Sequence, residues 1–230
     1  MTKQDFMSLR LIMLPLNQPV EGYRDLYDST KDTWCSVWAK VNERFLIKGE
    51  LFTDHLNRQD ESATLYDGDK CAGILLFRTL DFAHFDYRHD SYFKDWTDND
   101  VKQALSHGSR VFITSYMSVL PEYRNFSPHY KFKELLFNFM INRFLDSRAD
   151  TILITARRDR GINDEGVARG GYILRDNVPF FDGLERVDFV AIPRATAKLS
   201  SNPAAREVAA YLWNHRLDLT YPKQKVLKVA

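Results

Sequence analysis

Residues 133–146 (KELLFNFMINRFLD) constrain the fold of this 230-residue chain more than any other segment. Eight of the fourteen are Leu, Phe, Met or Ile, so the segment reads as a strongly apolar helix that needs a full core around it. An apolar strand precedes it at Val111–Val119 (VFITSYMSV), ended by Leu120-Pro121, and a buried strand follows at Thr151–Thr155 (TILIT). A chain of this length, 44% hydrophobic, can supply that core: it buries roughly 70% of the surface its unfolded form exposes, with no metal or disulfide staple required.

The remaining segments supply the layers. Leu9–Leu14 (LRLIML), closed by Pro15, predicts a first buried strand, and apolar residues spaced by three and four from Tyr23 to Phe45 predict a long amphipathic helix. Ala63–Tyr66 and Cys71–Leu80 flank Asp67-Gly68-Asp69, the pattern of a hairpin. A polar, aromatic-laced insertion covers about 81–109, with Thr97-Asp98-Asn99-Asp100 opening a short helix before Val101. Asn163–Arg169 predicts another short helix stopped by Gly170-Gly171, then strands at Tyr172–Leu174 and Arg186–Ile192, then a helix capped by Asn202-Pro203 and running to about Arg216. One domain over 1–230 is expected, an α/β fold whose central mixed sheet carries helices on both faces, with a C-terminal helical extension at about 202–230.

Charge excludes some functions. Against 32 Lys and Arg stand 31 Asp and Glu, so no global field favours nucleic acid or an anionic membrane. The two cysteines, Cys35 and Cys71, lack CxxC or Cys/His spacing, and His84, His89 and His107 are scattered, so neither a metal site nor a disulfide scaffold is expected. The start MTKQDFMSLR has no apolar export core, and the longest apolar run, Cys71–Phe77, is far below the ~20 residues needed to span a bilayer. Two reduced thiols in a cytoplasmic protein are the expectation.

Val119-Leu120-Pro121-Glu122-Tyr123-Arg124, at the end of a strand and ahead of a loop and the apolar helix, resembles the acyl-thioester-binding core of the GNAT acyltransferase superfamily. In that superfamily the loop after the fourth core strand holds the pyrophosphate of coenzyme A on backbone amides and a helix N-terminus, an arrangement any unpaired amides at a helix dipole can make. The likeness continues through TILITARRDRGINDEGVARGGYIL, where Gly171-Tyr172 stands in the place of a usual Gly-Phe, and spans roughly residues 8 to 195. It implies a mostly antiparallel GNAT-like sheet and an N-acyltransferase. The donor would be acetyl-CoA, a longer acyl-CoA, or acyl-phosphopantetheine on an acyl carrier protein, and the acceptor a small amine; a homodimer is compatible with it. A long stretch before the fourth strand also resembles the acyl-homoserine-lactone and N-acyl amino acid synthases.

The chain departs from the superfamily in its loop. Arg124-Asn125-Phe126-Ser127-Pro128-His129-Tyr130-Lys131-Phe132 has no glycine to allow close approach and a proline that removes one donor, so Arg124, Lys131 and Lys133 are expected to supply charge in place of amides. Val119, Asn125, Phe132 and Arg157 complete the expected cofactor-binding set. Val167 occupies the position of the frequent tyrosine acid, which leaves Tyr172, Glu122 and Tyr116 as catalytic candidates, each with a packing or solvated alternative. Tyr116 and Ser118 should share one face of their strand. The insertion's Asp81, Asp86, Asp90, Asp95, Asp98 and Asp100 form either an acidic lip for a cationic amine or a solvated loop, and Trp34, Trp38 and Phe45 line either the core or an acyl pocket. With no glycine loop and no tyrosine acid in place, a non-catalytic binding or regulatory module on the same fold is the alternative.

Overall fold

A computed structural model of the chain describes residues 6, 8–45 and 54–220. Most of the amino-terminal segment and the last ten residues of the expected extension lie outside them. In chain order the elements are β1 (Leu9–Pro15), α1 (Arg24–Arg44), α2 (Asp54–Asn57), β2 (Glu61–Asp67), β3 (Lys70–Asp81), α3 (Asp98–Ala104), β4 (Arg110–Val119), α4 (Phe132–Asp146), β5 (Thr151–Arg157), α5 (Ile162–Ala168), β6 (Tyr172–Phe180), β7 (Glu185–Pro193), α6 (Pro203–Asn214) and β8 (Leu217–Asp218). The strands form one sheet in the order β6-β7-β5-β4-β3-β2-β1-β8. Five of its seven pairings are antiparallel; β4 with β5 and β1 with β8 are parallel.

Helix α4 explains why its sequence is apolar on nearly every side. One face packs on the sheet through Phe137, Met140 and Phe144, and α6 covers the other, with Phe139 stacked near Trp213. Between the two helices Asn138 is fully buried: its amide donates to the Ala205 carbonyl at 3.3 Å and its carbonyl accepts from Ser200 N–H at 2.8 Å. A buried polar side chain with both functions satisfied adds order without an orphan. At the carboxyl end of α4, Arg194 donates to the carbonyls of Phe144, Leu145, Ser147 and Ala149 and lies over the Phe144 ring, filling the acceptors that a helix end leaves open.

The opposite face of the sheet carries α1 over β1–β4 and the 81–109 insertion over β5–β7. The insertion is an ordered second core. Phe82, Tyr92, Phe93 and Trp96 interlock, and Trp96 stacks on Phe189 with centroids 4.4 Å apart. Thr97 caps α3 as its sequence signals, in a full capping box with Asp100. The extension differs from expectation: the last helix stops at Asn214, and Leu217–Asp218 adds a short parallel strand to β1. Gly170 cannot carry a side chain, because its φ is +93° and a Cβ would lie 1.8 Å from the Thr196 carbonyl oxygen.

Candidate active site

Strands β4 and β5 part company halfway along. Their parallel pairing runs from Val111 with Thr151 to Thr114 with Ile154 and stops, after which β4 follows β3 to Val119 and β5 follows β7 to Arg157. The departure is built into β4 as a bulge. Leu76 faces Ser115 and Ile74 faces Ser118, so Leu75 alone stands opposite Tyr116 and Met117. Tyr116 takes φ +53°, a left-handed conformation that costs a non-glycine residue of order 1–3 kcal/mol and that persists only when its surroundings hold it. Tyr116 and Ser118 do share the α1 face, as alternation predicts. Ser115 joins them because the bulge interrupts the alternation.

The gap so opened is a cavity of about 650 Å³. Its floor reaches into the core, at Leu75, Phe137, Met140 and Ile154, and α1 closes one side with Val37, Trp38 and Val41. Seven cations line it: Lys40 and Arg44 from α1, Arg124 and Lys131 from the β4–α4 loop, Lys133 from α4, and Arg157 and Arg160 after β5. No carboxylate is among the described lining residues. Asp159 stands behind three of the cations, pairing with Arg44 at 2.9 Å, Arg157 at 2.9 Å and Arg160 at 3.4 Å. Arg44 and Arg157 both lie against the Phe45 ring, which ties the end of α1 to the end of β5. Lys133 bridges α4 to the turn after β5 by donating to the carbonyls of Arg160 and Gly161.

The β4–α4 loop uses many of its amides internally. Arg124 N–H donates to Pro121, Phe126 N–H to Tyr123, His129 N–H to the Ser127 hydroxyl, and Lys131 N–H to the Glu134 carboxylate. Pro128 has none to give. What this loop offers an anion is mainly charge, with the Arg124 and Lys131 side chains at the cavity wall and no glycine-built cradle.

Of the residues singled out from sequence, Val119, Arg124, Asn125, Lys131, Lys133, Arg157 and Tyr116 all line this one cavity. Phe132 does not: its ring is fully buried, packed on Tyr123 and Phe126. Glu122 sits outside, exposed and paired with Lys70 at 2.6 Å, and that hydrogen bond lowers its carboxyl below the ordinary range, the opposite of what a general base needs. Tyr172 also lies outside, on the insertion side, its ring against His107 and its hydroxyl 3.5 Å from the Gln103 carbonyl. The insertion's aspartates make local structure instead of a lip. Asp86, Asp90 and Asp100 cap turns and α3, Asp81 holds Arg110 and Ser109, Asp98 accepts from the Tyr87 hydroxyl, and Asp95 is 4.0 Å from Lys94. Trp34 is core, while Trp38 reaches the cavity. Lys40 and Arg44 carry no signal of their own in the sequence: one turn apart on the polar side of α1, they look like any solvated pair until the fold brings them to the gap. Among the described residues no group of three His, Cys, Asp or Glu side chains could hold a metal, and no helix is long and apolar enough to cross a membrane.

A mostly antiparallel sheet with a parallel pair that splays at its centre, and helices on both faces, is the GNAT-like fold that the VLPEYR segment led us to expect. No protein-family model matches the chain, and no curated protein matches it in sequence. Solved structures do match in fold. The chain is similar to FeeM, an N-acyl amino acid synthase from uncultured soil microbes, with a TM-score of 0.57 and 10% identity over 82% of this chain and 93% of that one. It is similar to the AHL synthase LasI, with a TM-score of 0.56 and 10% identity over 91% and 96%. It is also similar to BjaI, a CoA-dependent acyl-homoserine lactone synthase solved with SAM and isopentyl-CoA, with a TM-score of 0.55 and 7% identity over 90% and 88%.

Proposed function

We propose that the protein is an N-acyltransferase that takes an acyl group from a phosphopantetheine thioester, on coenzyme A or on an acyl carrier protein, to a small amine. The observation that carries this reading is the gap between β4 and β5: two strand edges that leave each other, an apolar floor and a lining that includes seven cations, three of them paired with Asp159. Pantetheine is a chain of amides that can pair with such edges, and its phosphate end needs positive charge. Arg124, Lys131 and Lys133 hold the phosphate, while the apolar end of the cavity takes the acyl chain.

The amine nitrogen then attacks the thioester carbon, forming the C–N bond as the C–S bond breaks, and the proton lost by nitrogen ends on the departing thiolate. A backbone N–H of β4 near Val119 stabilises the oxyanion. Of the three catalytic candidates Tyr116 alone lines the cavity; its hydroxyl stands 3.4 Å from His55 Nδ1, and it is the group to test as proton donor. The mutual approach of thioester and amine in one cavity supplies much of the rate. Two thiols without a disulfide suit a cytoplasmic setting.

Thermal shift with free CoA, acetyl-CoA, palmitoyl-CoA and an acyl carrier protein tests the donor, because any ligand that prefers the folded state raises Tm. We expect a rise with at least one thioester, and thiol release when a panel of amines is added. No shift with any of them overturns the reading. Binding without thiol release for any amine would favour the binding-module alternative.

A further inference from the structure

The strain at Tyr116 has a visible restraint, and it comes from α1. The indole Nε1–H of Trp38 donates to the Ser118 hydroxyl at 3.0 Å, and that hydroxyl donates onward to the Tyr116 carbonyl at 3.0 Å. The direction is fixed by chemistry. An indole nitrogen can only donate, and a serine hydroxyl has one proton, here spent on the carbonyl, so a lone pair receives the indole. Ser118 is fully buried, which shields the chain of bonds from water. The Trp38 ring also packs edge-on against the Tyr116 ring at 4.9 Å, with Trp34 at 5.7 Å. One helix thus grips both the carbonyl and the side chain of the one β4 residue with a positive φ, two positions past the last pair shared with β5.

We infer that Trp38 is a positioning residue: through Ser118 it holds the β4 bulge in the shape that receives the acyl thioester, without touching the phosphate end of the donor. The inference rests on the acyltransferase reading and adds to it a residue of α1 outside the loop motif. It separates two halves of donor binding. Free CoA leans on the cations of the loop, which Trp38 does not contact, whereas an acyl thioester must also fit the backbone that the Trp38–Ser118 relay fixes.

The test is a set of affinities for Trp38→Phe, which keeps a ring and removes the N–H, for Ser118→Ala, and for the double variant. The ligand pairs are CoA with octanoyl-CoA, and holo- with octanoyl-acyl carrier protein, measured by calorimetry. Each single variant is expected to lose about tenfold in affinity for the acylated ligand and to stay within about twofold for its unacylated partner. The double variant should lose no more than Ser118→Ala, because both substitutions cut one relay. Retained affinity for the unacylated ligand shows that the variants are folded. Equal losses for both ligands, losses that multiply in the double variant, or no loss at all would overturn the role of Trp38 while leaving the acyltransferase reading intact. A wild-type protein that binds neither pair removes that reading and this inference with it.

Discussion

At the scale of single residues, Arg124 gives the most direct test of the site. It stands at the cavity wall with its Nε 3.4 Å from the Val119 carbonyl. A charge that contacts a phosphate remote from the reacting carbonyl is felt equally in the ground and transition states. Arg124→Ala should therefore raise the KM for the donor by about tenfold and leave kcat within about twofold; steady-state kinetics over a donor series would show it, and an unchanged KM would remove Arg124 from the donor site. Cys71 makes a stability prediction. Burial carries its thiol from the ordinary 9 up to about 11, so the folded state keeps a proton that the unfolded chain has already lost in that interval. Stability then falls as pH climbs from 9 to about 11, by about 2–3 kcal/mol in full. Urea unfolding at stepped alkaline pH should show this decline in the wild type and a shallower one in Cys71→Ala; identical slopes would place the alkaline loss elsewhere. Residues whose roles are local were legible in the sequence: Thr97 and Asn202 signal their caps by type and position. Asp159 was legible as a partner of the arginines beside it. Arg44 and the Trp38–Ser118 bond were not, because each depends on a partner 80 or more positions away, and Lys40 meets the cavity only once the sheet has formed.

At the scale of elements, α4 is the helix on which both stability and site depend, and its two ends are treated differently. The carboxyl end is closed by Arg194, whose guanidinium takes four carbonyls. The amino end opens on the cation-lined cavity. Arg194→Ala should lower the unfolding free energy by about 2–3 kcal/mol, since charge-assisted bonds are lost and buried acceptors are orphaned, yet leave donor affinity unchanged. Denaturation paired with calorimetry would check both halves; a loss of donor affinity as large as the loss of stability would mean that the two ends are not independent. Periodicity located α1 and α4 to within a residue or two. It stopped short for β6, which runs from Tyr172 to Phe180, because register shifts at Ile173–Arg175 and Arg175–Val178 break the alternation that marks a strand.

At the scale of the whole molecule, near-neutral net charge hides a local concentration of positive charge at one cavity. With the loop amides largely spent, donor binding should lean on side-chain charge and be salt-sensitive. A carrier protein, with a single phosphate and an acidic surface, should exceed the same acyl chain on CoA in kcat/KM at low salt, and physiological salt should narrow the difference. Matched donors at two ionic strengths decide it, and a clear preference for CoA at both would mean that the loop still cradles a pyrophosphate. Composition and motif gave the class of fold, but strand order is a property of long-range pairing that no local pattern encodes; VLPEYR led to it only through resemblance. The interrupted β4–β5 pairing also divides the sheet mechanically. Five strands, β8-β1-β2-β3-β4, stand on one side and three, β5-β7-β6, on the other, with four residue pairs between them. Apart from the two-pair β8 edge, that seam is the most weakly paired line of the sheet, and a molecule lying along it would act as the missing stitch, so that occupancy of the cavity should raise the force needed to pull the two blocks apart.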